Sequence, residues 1–183
     1  MISYIIIGLL IVTLIAFVVS AYNKLVMLKL NTNKAFANID VLLKQRADEI
    51  PNLIKVVKEN TRYEEATLTK LTKLRTDFLN SSNTNDKVKM SNEINTAMKS
   101  IFLVSENYPE LKSSTNFMRL QQRVSEVEDT IADRREYYNE SVNMYNIGIK
   151  EFPTLVLAKL IFYKEKELLQ ISKEEKKYDG IKF

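Results

Sequence analysis

The sequence predicts an all-α protein, an N-terminal transmembrane helix followed by a long-helix antiparallel bundle. Three observations predict it. An uncharged apolar run extends from Tyr4 to Ala21, and apolar residues recur at alternating three- and four-residue steps through most of the remainder. Only three Gly and three Pro occur in 183 residues, too few for the turns and bulges of a sheet protein.

No charged side chain occurs between Met1 and Asn23, and the run is broken only by Gly8, Thr13 and Ser20. A helix of this length rises roughly 30 Å, the thickness of a bilayer's hydrocarbon core, and a soluble helix rarely stays apolar on every face. A secretory signal is the rival reading, because Val19-Ser20-Ala21 resembles a small-residue cleavage site. A signal, however, begins with positive charge, and Met1, Ile2 and Ser3 carry none on their side chains. Lys24, Lys29 and Lys34 follow the run directly, which places the N-terminus outside and the body at the cytoplasmic face of the cell membrane, as a single-pass protein. The expected organisation is residues 1–3 outside, 4–22 in the membrane, 23–152 as a cytoplasmic helical bundle, and 153–183 as a short apolar segment and charged tail.

From Lys24 to Asn60 the apolar stripe is Leu25, Leu28, Ala35, Ile39, Leu42, Leu53 and Val56, widened by Phe36, Leu43, Ile50 and Val57. Its width suits a bundle core better than the narrow seam of a two-stranded coiled coil. Arg46 and Glu49 interrupt it, and Pro51 predicts a bend near Ala47 to Pro51. A second helix is expected over 62–79 on Ala66, Leu68, Leu71, Leu74 and Phe78. The junction Glu59 to Tyr63 contains neither Gly nor Pro, so a turn there and one continuous helix both stand. Asn80 to Asp86 reads as a loop, because its short polar side chains compete with the helical backbone for hydrogen bonds.

A third helix over 87–107 rests on Ile94, Met98, Ile101 and Val104 and stops at Tyr108-Pro109. The last long helix, 115–151, carries Phe117, Leu120, Val124, Val127, Ile131, Tyr138 and Tyr145 and ends at Phe152-Pro153. Leu155 to Tyr163 is too short to span a bilayer and too apolar to sit in water. It either docks on the bundle or lies in the membrane interface, with Phe152, Pro153, Leu157, Leu160, Ile161 and Phe162 as the contact residues. Lys164 to Phe183 reads as a marginal helix or a disordered tail.

Cysteine and histidine are absent, which removes thiolate nucleophiles, imidazole acid-base chemistry and Cys/His metal sites. The net charge of +4 is small and evenly mixed, which argues against nucleic acid. Adjacent carboxylates at Glu64-Glu65 and Glu174-Glu175 would point about 100° apart on a helix and cannot share a substrate. Gly8, Gly148 and Gly180 are too isolated for a phosphate loop. The expectation is no enzyme, no cofactor, no metal and no small-molecule substrate; the expected partners are membrane lipid, further copies in a homo-oligomer, and another envelope protein.

If the first and last long helices pack antiparallel with Lys24 beside Glu151, Arg46 falls opposite Glu128 or Asp129, and Asp40 opposite Arg135. These are candidate inter-helix ion pairs that fix register; as solvated edge charges they would contribute only a few tenths of a kcal/mol. Tyr138-Asn139 and Tyr145-Asn146 are seven residues apart and return to one helix face. They form a candidate interaction face, or a pair of core tyrosines with hydroxyls at the boundary.

Specific words in the chain then emerge: Tyr22-Asn23-x-Leu25-Val26, Ile39-Asp40-Val41-Leu42, Lys44-Gln45-Arg46-x-Asp48-x-Ile50-Pro51-Asn52-Leu53, Tyr108-Pro109-x-Leu111-Lys112, Asn116-Phe117-x-x-Leu120-Gln121 and Arg135-x-x-Tyr138-Asn139-x-x-Val142-x-x-Tyr145-Asn146. In these the chain resembles the LemA family of bacterial membrane-anchored helical proteins, over about Tyr22 to Pro153. Phe36, Leu43 and Glu49 depart from the family's usual Trp, Gln and Leu. The resemblance implies an N-out anchor, a four-helix cytoplasmic bundle and no enzymatic activity. The expected function is a self-assembling membrane scaffold that organises or shapes the membrane; the alternative is an adaptor or regulator of another envelope protein such as a membrane protease.

The orientation is directly testable. A tag at the C-terminus should survive protease added to intact cells, and its digestion from outside would reverse the assignment.

Overall fold

A computed structural model describes residues 1–60 and 65–169. The elements are α1 (Ile2–Asn60), α2 (Glu65–Asn80), α3 (Thr84–Val104), a 3-10 turn (Ser105–Asn107), α4 (Pro109–Ser113), α5 (Thr115–Gly148) and α6 (Thr154–Leu160). The described residues contain no strand. The fold is all-helical, and its first helix begins with an apolar stretch long enough to cross a membrane: mean hydropathy reaches 2.9 over an 18-residue window, none of it buried.

The chain divides into two compact units, and α1 and α5 each contribute to both. Among the described residues, one unit holds Met1–Asn38 with 134–169, and the other falls within Ile39–Asp133.

In the second unit the core comes from Ile39, Leu43, Ile50, Leu53 and Val57 of α1, Leu68, Leu71 and Phe78 of α2, Ile94, Met98 and Ile101 of α3, and Phe117, Val124 and Ile131 of α5. Polar contacts fix the helix directions. Lys87 and Ser91 of α3 meet Asp40 and Arg46 in ascending order, so α3 runs parallel to α1. Glu128 and Arg123 of α5 meet Arg46 and Glu49 in reverse order, so α5 is antiparallel. On α2, Arg75 reaches Ala47 and Asp48. Phe78 lies under the Lys87 ammonium that holds Asp40, so α2 is antiparallel to α1 as well. α2 therefore runs back along α1, which decides against one continuous helix from Lys24 to Leu79. Glu64 and the 61–64 junction itself lie outside the described residues.

Pro51 sits inside α1, which stays helical through it. With no N–H, a proline leaves the carbonyl four residues earlier without its intrahelical donor. That carbonyl belongs to Ala47, which is fully buried. Arg75 supplies the donor, its Nε standing 3.1 Å from the Ala47 oxygen. An apparent defect in α1 thus becomes the docking point of α2.

Helix boundaries differ from expectation where polar side chains take up capping. The expected loop over 80–86 contracts to 81–83. Asn83 accepts from the backbone N–H of Asn85 and Asp86, so α3 starts at Thr84 inside the polar cluster instead of at Lys87. Beyond Val104 the helix tightens into the 3-10 turn, and Pro109 opens the short α4 at a position where its missing N–H costs nothing. The last long helix ends at Gly148 and not at Glu151. A Cβ on Gly148 would stand 2.3 Å from Leu28 Cδ1, so glycine permits the close approach of α5 to α1 there.

In the first unit Leu25, Tyr145, Ile149 and Ala158 form the core, with Leu28, Leu157, Ile161 and Tyr163 packed against it. Leu25 is the first fully buried side chain of α1; the large apolar residues before it are all substantially exposed.

Candidate functional site

Two polar constellations emerge, one in each unit. In the second unit the Arg46 side chain is completely buried and donates through Nη1 to the Glu128 carboxylate. Its Nη2 donates to the Ser91 carbonyl at 2.8 Å and also meets the Ser91 hydroxyl. The other oxygen of Glu128 accepts from Asn95 Nδ2 at 2.8 Å, while Asp129 is exposed. The structure thus brings together Arg46 and Glu128 from α1 and α5, and adds α3, which a pairwise reading of two helices left out.

The second expected pair is seated differently. Both carboxylate oxygens of Asp40 accept from Lys87 Nζ, at 2.8 and 3.0 Å, where Arg135 was expected. Arg135 is itself buried, in the other unit. The reason is α3: running parallel to α1, it delivers a lysine to Asp40. Glu49, which looked like a flaw in the apolar stripe, is 5% exposed and pairs with Arg123 at 2.5 Å. Asn52 Nδ2 donates to its other oxygen at 3.1 Å. These acids are each tied to a cation in fixed geometry, an arrangement suited to holding helices in register and not to moving protons.

In the first unit the Tyr138, Asn139, Tyr145 and Asn146 face is occupied by the chain's own C-terminal segment, a strap over residues 164–169. Asn146 donates to the Lys166 carbonyl and accepts from the Lys166 N–H, both at 2.9 Å. Asn139 repeats the pattern on Leu169, at 3.1 and 2.8 Å. Seven helical residues rise about 10.5 Å. Three residues cover that distance only when nearly extended, at roughly 3.3 Å each. The Asn spacing therefore matches an extended backbone running antiparallel to α5.

Side chains close the clamp. Tyr145 Oη donates to the Lys164 carbonyl at 3.0 Å, and burial, then the neighbouring Tyr163, pushes this phenol's pKa up, which keeps it a donor. Burial alone raises Tyr138, whose ring meets Phe36 edge-on at 5.9 Å between centroids. Lys166 Nζ donates to Thr32 Oγ1 and, at 2.8 Å, to Asn33 Oδ1, and lies over the Tyr145 ring. Burial, then the nearby Lys29, lowers its pKa. Lys29 Nζ stands 4.6 Å from the Tyr163 ring centroid. The tail beyond residue 169, including Glu174-Glu175, lies outside the described residues; 164–169 form no helix.

The segment before the strap is covered on one side and exposed on the other. Thr154 and Ala158 of α6 are buried, and Leu157, Ile161 and Pro153 are partly covered. Phe152, Leu160 and Phe162 are exposed, joined by Val156, which the sequence reading missed. Phe162 takes a left-handed backbone with φ 56°, at about 1–2 kcal/mol for a residue with a Cβ. Tyr163 N–H then donates back to the Ala158 carbonyl at 2.9 Å, closing the helix end.

The sequence matches the LemA family over residues 35–183. The chain belongs to the LemA family. Arg46, Glu128 and the Asn139/Asn146 clamp all fall inside the LemA match, whereas the apolar start of α1 precedes it. Among curated proteins it is similar to Magnetosome protein MamQ 1 and MamQ 2 of Paramagnetospirillum magneticum, each 35% identical over 74 residues. That stretch is 40% of this chain and 27% of each MamQ. MamQ of Magnetospirillum gryphiswaldense is 30% identical over 71 residues, 39% of this chain and 26% of that protein. The matched stretch thus spans about a quarter of the length of these relatives.

Two outcomes follow for the constellations. Arg46→Ala strands Glu128 against a vacated site and should destabilise by about 3–5 kcal/mol, whereas replacing Arg46 and Glu128 together by Met should come close to neutral; thermal unfolding followed by circular dichroism in detergent distinguishes them. Asn139→Ala and Asn146→Ala should each weaken strap docking by about 1–3 kcal/mol, two hydrogen bonds lost per substitution. Hydrogen exchange at the Leu169 and Lys166 amides reads this directly, and unchanged protection would contradict the clamp.

Proposed function

We propose that the chain is a non-enzymatic, membrane-anchored helical scaffold. In this reading its N-terminus lies outside, its body lies at the cytoplasmic face of the cell membrane, and copies assemble side by side to organise or shape that membrane. The observation that carries it is α1. One helix holds an apolar stretch that no other part of the described chain covers and then, from Leu25, a stripe of core residues. About 25 cal/mol per Å² favours removing such a surface from water, and a bilayer does so along the whole stretch.

Lateral assembly is supported by what the strap leaves uncovered. Tyr137, Met144 and Ile147 on α5 are each at least half exposed, and their spacing puts them on one face. Each of the first two precedes a clamp tyrosine by one residue, so it points about 100° away from the strap. Met27 and Leu30 on α1 are similarly exposed. A groove of about 160 Å³ runs beside them, lined by Leu28, Asn31, Tyr137, Glu140, Ser141 and Met144. Within this unit the face open to a neighbouring copy is this one, and not the Tyr138/Asn139 face, which the chain fills itself.

The chain contains no cysteine, so a single introduced thiol reports without background. Met144→Cys in native membranes should give cross-linked dimers with a short thiol-reactive linker. A strictly monomeric product would overturn self-assembly, and stoichiometric capture of a different chain would favour an adaptor role.

A further inference from the structure

We propose that the outward face of α6, together with Phe162, forms a second lipid contact that lies in the headgroup layer of the membrane α1 crosses. The inference rests on the membrane-spanning reading of α1 and adds a separate site.

The first observation is that α6 is apolar on two opposite faces. Thr154 and Ala158 point into the core of their unit, flanked by Leu157 and Ile161. Val156 and Leu160, spaced by four, share the other face and are 54% and 68% exposed, and Phe152, just before the helix, is 78% exposed. A short helix in water would carry polar residues there; a contiguous apolar strip marks an interaction surface.

The second observation is Phe162. It holds the left-handed conformation that suits glycine, where a bulky residue is an outlier. Its ring is 85% exposed, so the fold gains no packing from having an aromatic side chain at this strained position. The helix-end turn explains the conformation and not the aromatic side chain, which is left available to a surface outside the fold. Here it leaves an exposed aromatic residue directly beyond the end of α6.

The third observation is depth. Glu151, the residue before Phe152, pairs with Lys24 at 3.1 Å, and Lys24 is the first charge after the uncharged run. The inner face of α6 joins the core of Leu25 and packs with Leu28. Leu28 lies five residues beyond Asn23, about 8 Å of helix rise. The headgroup layer on each side of a bilayer is roughly 5–8 Å thick. The strip is thus held at the level where the span leaves the hydrocarbon. Exposed Lys159 and Lys164 flank it and suit anionic headgroups. The Asn139/Asn146 clamp on the strap holds the segment at this height.

The chain has no tryptophan, so Phe162→Trp in the full chain is the sole indole. The variant is reconstituted in vesicles of phosphatidylcholine and phosphatidylglycerol whose acyl chains are brominated at shallow or deep positions. The expected result is blue-shifted emission that loses most of its intensity to shallow bromines and little to deep ones. Phe152→Trp should behave in the same way and serves as the second position should Phe162→Trp disturb the turn. Leu10→Trp, in the middle of the apolar run, should be quenched by deep bromines. Red, unquenched emission at 162 and 152 with Leu10→Trp quenched overturns this inference alone. Unquenched emission at Leu10→Trp as well overturns the spanning reading beneath it.

Discussion

An uncovered apolar surface on a helix has to leave water, and the organisation of this chain follows from that constraint on α1. Up to Tyr22 every large apolar side chain of the helix is exposed, while Leu25, three residues later, is completely buried. A single helix therefore carries two patterns of cover, with Lys24 at the change. Before it the side chains have no polar face, so no soluble neighbour is needed to explain the pattern. After it the apolar residues narrow to a stripe, and other helices must supply the cover.

Residues 149–169 pack against the same stretch of α1 by different chemistry. α5 returns to the level of Lys24, and the chain then folds α6 and the strap back onto α1 and α5. The strap is held through its backbone, by amide side chains that each satisfy an N–H and a carbonyl of one residue. Such recognition ignores most side-chain identities, which lets this segment leave Lys164, Glu165 and Glu167 exposed. Two neighbouring cation–π contacts, from Lys29 and Lys166, add attachment without demanding a hydrophobic groove.

Much of the fold could be read from the residues because helix periodicity is a local signal. Leu68, Leu71, Leu74 and Phe78 specify α2 without reference to anything else. Contacts between two long antiparallel helices were also legible, since one aligned pair fixes the others: the register that sets Arg46 against Glu128 also brings Glu49 near Arg123, a contact the same reasoning had in reach. What escaped were contacts depending on a third element. Lys87 reaches Asp40 only once α3 is known to run parallel to α1. The seven-residue spacing of Asn139 and Asn146 was visible, but their occupant was not, because an extended strap carries no periodicity and is bound through atoms that every residue possesses. The start of α3 was missed because Asn83, in a polar cluster that reads as loop, acts as a cap.

The proline in α1 has a consequence for how the helices find their alignment. Apolar stripes alone tolerate sliding, since moving one helix past another by a turn, about 5.4 Å, presents a similar greasy surface. A buried carbonyl that lacks its own helix's donor is a single address on that surface, answered by one guanidinium at one height. Slippage would leave the oxygen thirsty in a dry interior and the arginine without its berth. The residue usually regarded as a helix breaker thus serves as a vernier mark, converting a permissive interface into one with a single setting.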